Sequence, residues 1–248
     1  MKKAQNIYDN STFYNEYRSM RESELNANNL IEIPIIKSML PSLKNKKILD
    51  LGCGNGSMSR YFIENGASEV LAIDISLNMI NEAKEKNNLK GIRYEVMGME
   101  DISNINQKFD FIFSSLAFHY IEDFDKLMSD CHNLLNKEGI LLFSQEHPLT
   151  LAPILEDDMK KYMEKNGKRY YYVSDYNNEG IRKVFWNVND VVKYHRNMST
   201  LINDIVNNKL SILEVKESYA SKEAIQLVDK YKYQKDRPYF LFIKAIKK

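Results

Sequence analysis

Three of the chain's nine glycines fall within five residues, in Asp50-Leu51-Gly52-Cys53-Gly54-Asn55-Gly56, directly after the apolar run Lys47-Ile48-Leu49-Asp50-Leu51. A chain this sparing with glycine groups three of them where the backbone must turn sharply or a ligand must approach it closely. A short strand that enters such a turn and leaves it in helical spacing (Met58, Tyr61 and Phe62, closed at Gly66) is the opening unit of a doubly wound α/β sheet. Ligands of such sheets sit at the carboxyl edge of the strands, so this turn is the first candidate binding element.

The rhythm continues. Val70-Leu71-Ala72-Ile73-Asp74 predicts a second strand, and Ser76 is a suitable N-cap for a helix reaching about Asn88. Residues 92–96 predict a third strand and Phe109-Asp110-Phe111-Ile112-Phe113 a fourth, ending at Ser114-Ser115. Phe124, Leu127, Met128, Cys131, Leu134 and Leu135 share one helical face with Gly139 as its stop, and residues 140–143 predict a fifth strand running into Ser144-Gln145-Glu146-His147-Pro148. The pattern then breaks: residues 151–166 read as helix, and 168–187 are rich in Tyr, Asn and charge, with extended pieces at 169–173 and 181–186. Strand-helix alternation returns over 191–207 and 210–215, with a last strand at 239–246. Ahead of the sheet, two helices are expected at 12–20 and 29–40, with Pro34 imposing a kink or a later start on the second. The whole reads as one domain of 248 residues: an N-terminal helical cap (1–45), a core (46–147), an insertion after strand five (150–190) and the C-terminal part of the core (191–248).

The turn is spaced G-x-G-x-G, whereas a dinucleotide-binding turn is G-x-G-x-x-G; here Ser57 takes the place of the last glycine. That disfavours a pyrophosphate and favours another nucleoside. Asp74, at the end of the second strand and 22 residues after Gly52, is placed to accept hydrogen bonds from both hydroxyls of a ribose. Met79 offers a polarizable thioether to an adenine face, and Gly98-Met99-Glu100-Asp101 follows the third strand where the adenine edge would lie.

Taken in order, Ile48 to Gly56, Ala72-Ile73-Asp74-Ile75-Ser76 with Met79, Met99-Glu100-Asp101, and Phe109 to Ser115 resemble the motifs of class I S-adenosylmethionine-dependent methyltransferases. The likeness covers about residues 46–147. Phe13 to Arg18 with Arg21, Ser114 to Tyr120, Glu146-His147-Pro148 and Lys193 to Arg196 extend it toward the bacterial small-molecule branch. The resemblance implies a Rossmann-like, doubly wound, seven-stranded sheet with an antiparallel last strand, S-adenosyl-L-methionine as cofactor and S-adenosyl-L-homocysteine as product. It implies that Asp50 and the turn (Gly52, Cys53, Gly54, Gly56) hold the methionine moiety, Asp74 with Ile75 the ribose, and Met79, Met99 and Glu100 the adenine, with Ser114 and Ser115 in the same motif set. Tyr17 and Arg21 are candidates to close over the cofactor, the arginine meeting its carboxylate in a bidentate pair. Nucleic-acid amino methyltransferases commonly carry Asn/Asp-Pro-Pro-aromatic after strand four; here Ser114-Ser115-Leu116-Ala117 stands there.

A sulfonium is already a good leaving group, so alignment in a dry pocket is the main requirement, and a base is needed only for a hydroxyl or an ammonium acceptor. His147, at the end of strand five, is the first candidate base, followed by His119; His195, read within a mostly helical stretch, is the third. Tyr170, Tyr171, Tyr172, Tyr176 and Trp186 crowd the insertion and are expected either to line a lid or to pack a small sheet extension. Lys+Arg total 35 against Asp+Glu 34, a net charge of +1 that removes the bulk electrostatic case for a nucleic-acid or membrane partner but leaves room for a local basic patch; a small-molecule substrate is what the resemblance implies. No apolar run is long enough to span a bilayer, two cysteines make no disulfide framework, and no Cys/His group has zinc-ligand spacing; the expected setting is cytoplasmic, without metal. Two other functions stay open: a non-catalytic S-adenosylmethionine-binding regulator and a nicotinamide-dependent oxidoreductase.

Overall fold

A computed structural model describes residues 5–155, 160–186 and 188–248. The N-terminal cap contains α1 (Ser11–Glu22) and a π-helical turn at Asn28–Glu32 that continues into α2 (Ile33–Met39). Pro34 sits in the first turn of α2, where its missing N–H costs nothing, so the regular helix starts late. The core then runs β1 (Lys47–Leu51), α3 (Ser57–Glu64), β2 (Glu69–Asp74), α4 (Leu77–Lys86), β3 (Ile92–Val96), β4 (Phe109–Ser115), α5 (Phe124–Leu134) and β5 (Leu135–Glu146). After β5 come α6 (Pro148–Leu151) and two hairpins, β6 (Tyr162–Lys165) with β7 (Lys168–Tyr171) and β8 (Gly180–Trp186) with β9 (Val188–His195). The chain closes with α7 (Met198–Asn207), β10 (Leu210–Glu217), α8 (Lys222–Leu227) and β11 (Phe240–Lys247).

The main sheet has the order β10-β11-β5-β4-β1-β2-β3, and only β11 runs against its neighbours. This is the doubly wound, seven-stranded arrangement with an antiparallel last strand. Its central strands are apolar on both sides because helices cover both faces. Leu49, Leu71, Ile73, Ile112 and Phe143 face α5 and α7, while Ile48, Val70, Phe111, Phe113 and Phe242 face the α2 and α3 side. Phe62 of α3 meets Phe111 and Phe113 edge-on, at 5.8 and 5.1 Å between ring centroids. Asp50, 2% exposed, is a carboxylate buried in the middle of this core.

Three local expectations are corrected. The helix expected over 151–166 is not formed: Pro153 follows the single turn α6, residues 156–159 lie outside the described residues, and 162–171 fold as a hairpin. Asn166 and Gly167, at φ of 53° and 71°, supply the two left-handed positions of a tight hairpin turn, the strongest short-range hairpin signal a sequence carries. Gly139 does not stop α5, which ends at Leu134; the chain enters β5 at once and bulges between Leu135, opposite Phe109, and Ile140, opposite Phe111. His195 closes strand β9 instead of sitting in a helix.

The cap is tied down over α4. Ser76 caps that helix by accepting from Met79 N at 3.2 Å, and its hydroxyl donates to Asp9 Oδ1 at 2.6 Å. Tyr14 donates to Glu82 at 2.7 Å, and Gln5 exchanges hydrogen bonds with the backbone of Asp190 and Val192 in β9. The N-terminal residues thus bridge from α4 to the second hairpin, across the carboxyl edge of the sheet.

Candidate functional site

The glycine turn is built by three left-handed residues, Gly52, Gly54 and Gly56, at φ of 69°, 53° and 79°. Gly52 N and Cys53 N both donate to Ile73 O at 2.9 Å, which pulls the turn against the end of β2. The three glycines serve different ends. A Cβ on Gly52 would lie 2.7 Å from the Ala117 side chain, and one on Gly56 would lie 2.3 Å from the Tyr94 hydroxyl, so both are needed for packing. A Cβ on Gly54 would meet nothing within 4 Å. Its open side faces a cleft floored by the turn and roofed by the cap.

Three carboxylates, Asp50, Asp74 and Glu100, line this cleft, and two of them are buried. Asp74 accepts from Gly54 N and from Ser76 N, each at 2.9 Å; burial lifts its carboxyl to about 6 in spite of those two hydrogen bonds. Asp50 accepts from Ser59 Oγ at 2.5 Å, and burial lifts it to about 7, the Ser59 hydroxyl opposing and the nearby Asp74 charge adding to the rise. Neither buried carboxylate has a cation beside it among the described residues. Each therefore carries unrelieved desolvation and is suited to a ligand that brings donors or positive charge.

Of the residues singled out in the sequence, Asp50, Gly52, Cys53, Gly54, Asp74, Ile75, Met79, Met99, Glu100, Ser115, Tyr17 and Arg21 all line the cleft. Gly56 and Ser114 do not: Gly56 makes room for Tyr94, and the buried Ser114 hydroxyl donates to Leu51 O at 2.8 Å, binding β4 to β1. Burial pushes the Cys53 thiol far up, which leaves it unreactive. None of the three histidines lines the cleft. His147 is the N-cap of α6: its Nδ1 accepts from Leu149 N at 3.1 Å and its Nε2 lies 2.9 Å from Glu217 Oε1. His119 accepts from Glu146 N at 3.4 Å, and burial takes it down to about 3, too weakly basic to hold a proton near neutrality. His195 Nε2 lies 2.8 Å from Tyr176 O. All three lie outside the cleft lining, each hydrogen-bonded within the body of the chain.

Among the described residues, none of the insertion (150–190) expected as a lid lines the cleft. Tyr171 packs under Arg237 and Tyr176 against His195; Tyr170 and Tyr172 are exposed, and the side chain of Trp186 lies outside the described residues. The roof is the cap, through Tyr8, Tyr17, Met20 and Arg21.

Several cleft residues escaped the sequence reading. Tyr8 and Tyr120 bring their hydroxyls to 3.5 Å of one another, and burial pushes both phenols well above their usual range. Leu116 adopts φ 51°, a left-handed conformation unfavourable for leucine, where β4 leaves the sheet. Behind Ser115 lies Glu32, fully buried on the π-helical turn, whose carboxylate accepts from Ser115 Oγ (2.6 Å), Ser144 Oγ (2.5 Å) and Asn28 Nδ2 (2.7 Å). It fastens the cap to the ends of β4 and β5. Only contacts distant in sequence reveal it; Glu32 and Ser144 are 112 residues apart.

Residues 49–143 match a family described as a methyltransferase domain. The chain is similar over 97% of its length to a Haemophilus influenzae protein described only as uncharacterized, at 35% identity and covering 96% of that protein. It is also similar to the crystal structure of an S-adenosylmethionine-dependent methyltransferase from Mesorhizobium loti, at 33% identity and a TM-score of 0.79, covering 90% of this chain and 98% of that one. A solved structure from Listeria monocytogenes stands at 34% identity and the same TM-score, over 88% of this chain and 96% of that one.

Proposed function

The chain belongs to the class I S-adenosylmethionine-dependent methyltransferases, and from that premise we propose that it methylates a small molecule in the cleft beneath its N-terminal cap. The observation that carries the reading is the open face of Gly54 in a cleft lined by the carboxylates of Asp50 and Asp74 and roofed by Tyr8, Tyr17, Met20 and Arg21 of the cap. Family membership displaces the nicotinamide alternative.

These residues suit the cofactor. Asp50 would take the ammonium of its methionine part, a partner that relieves the desolvation raising this carboxyl. Asp74 keeps acceptor capacity beyond its two backbone donors and would take the ribose hydroxyls. Ile75, Met79 and Met99 supply apolar and thioether surface for the base, with Glu100 at its edge, while Arg21 beside Tyr17 is the cation available for the carboxylate. When bound, S-adenosylmethionine supplies a methyl carbon attached to a sulfonium leaving group.

The chain's part in the transfer is to orient and to exclude water. Tyr8, Tyr17 and Tyr120 form an aromatic wall, with Tyr8 edge-on to Tyr17 at 5.0 Å and to Tyr120 at 6.3 Å. Because burial keeps the Tyr8 and Tyr120 phenols protonated, they donate hydrogen bonds to an acceptor and do not remove its proton. With the histidines engaged elsewhere, an acceptor that arrives already deprotonated fits this cleft best.

Incubation with methyl-labelled S-adenosylmethionine and separated small-molecule, RNA and protein fractions of a bacterial extract tests the proposal. Label is expected in the small-molecule fraction. Label confined to RNA or protein would overturn it, and calorimetric titration with S-adenosylhomocysteine checks the cofactor site independently.

A further inference from the structure

Resting on the methyl-transfer reading, we propose that the methyl acceptor carries an anionic group, a carboxylate or a phosphate, and that Arg237, in the group of charges around Glu146 and Lys193, is its seat. Arg237 lies just before β11 and is 7% exposed. Among the described residues nothing accepts a hydrogen bond from its guanidinium, and its Nε and Nη1 are fully covered without partners. Its guanidinium carbon stands 4.1 Å from the ring centroid of Tyr171.

The same fold treats its other buried arginines differently. Arg182 donates to the carbonyls of Ala152, Asp175, Asn178 and Ile181, and Arg196 to those of Ile121 and Glu122. An arginine kept for architecture is thus saturated by backbone oxygen, as burial requires. Arg237 is not. Gln234, three residues earlier, likewise keeps a buried and unpartnered Nε2 while its Oε1 accepts from Ser218 Oγ at 2.8 Å.

Glu146, at the end of β5, is the acidic neighbour of Arg237, but Glu146 is already held by Lys193 at 2.5 Å. Lys161, exposed at the surface, adds another positive charge near Glu146. Glu217 is engaged by His147. Glu146 is thus engaged, and an incoming anion would supply the acceptors that Arg237 lacks. The group adjoins the cleft through Tyr120, which lines it and whose ring centroid is 5.7 Å from Lys193 Nζ.

Two measurements test the assignment separately from methyl transfer. First, the full chain loaded with S-adenosylhomocysteine is titrated calorimetrically with glutarate, with inorganic phosphate and with neutral glutaramide. One of the two anions should bind, identifying carboxylate or phosphate, and R237M should weaken it by about tenfold or more, with R237K retaining part of the affinity as a folded control. Second, for the acceptor found by labelling, R237M should raise KM by about tenfold while leaving kcat and cofactor affinity near wild type. Binding of neither anion, or equal binding by R237M, together with an unchanged KM, overturns the proposal while leaving the methyltransferase reading in place. Failure to bind S-adenosylhomocysteine would count against that reading alone.

Discussion

Replacing Asp50 with asparagine should make the ligand-free protein more stable at alkaline pH. Burial holds this carboxyl at about 7, against a usual value of 3.8, with Ser59 opposing and Asp74 reinforcing the rise. The folded protein consequently binds that proton more tightly than the unfolded chain does. The associated stability is complete below the unfolded pKa and is lost as pH climbs through the folded one. A shift of about three units at roughly 1.36 kcal/mol each sets an upper bound of about 4 kcal/mol, of which about 2 to 3 kcal/mol falls between pH ~5 and pH ~8.5. Asparagine carries no such term, and its carbonyl oxygen can still accept from Ser59 Oγ. Removing the Asp50 charge also lets Asp74 ionise more easily, which adds in the same direction. Urea unfolding of both proteins at the two pH values measures the gap, which should widen in the variant's favour as pH rises. A gap that stays constant or closes would refute the reasoning. The gain in stability should come with a loss of function: D50N should bind S-adenosylmethionine about 10- to 100-fold more weakly, and wild-type affinity should rise with pH through 7.

Other substitutions separate the roles of individual residues. G54V combines a left-handed backbone with a side chain projected into the cleft, so cofactor affinity measured by calorimetry should fall by more than about tenfold; unchanged affinity would place the cofactor elsewhere. D74A should weaken the same binding by about 1 to 3 kcal/mol through the ribose hydroxyls. E32A strands donors on Asn28, Ser115 and Ser144 and should cost about 3 to 5 kcal/mol in chemical denaturation, with E32Q losing less. H147A removes the cap of α6 and should cost about 1 kcal/mol of stability with kcat within about threefold of wild type; a drop of about 100-fold would restore a base at this position.

What the sequence made legible is what depends on neighbours in the chain. The core strands, the glycine turn, Asp74 and the Ser76 cap all follow from periodicity and short-range spacing, and the structure places them at one sheet edge. The insertion was misread because its apolar spacing suits a helix while Pro153 and the Asn166-Gly167 pair, which end the helix and close the hairpin, are two local cues that outweigh it. The placement of the histidines was not legible for another reason: a ring near a strand end can face the cleft or the body of the protein, and only its partners decide which. His147 turns to Leu149 and Glu217, the latter 70 residues away. Glu32 and Arg237 were illegible because a buried charge is recognised by what surrounds it, and their surroundings come from distant parts of the chain.

The reversed direction of β11 has a bearing on how such an enzyme can diversify. Every parallel strand brings its last residues to the edge where the cofactor lies; β11, running the other way, brings its first. Arg237 and Tyr239 reach that edge only because of the reversal, and they arrive on the half of the sheet formed by β10, β11 and β5. Asp50 and Asp74 belong to β1 and β2, on the other half. If the proposed sites hold, the connection before β11 and the hairpins facing it could be exchanged while the half that carries Asp50 and Asp74 is retained intact.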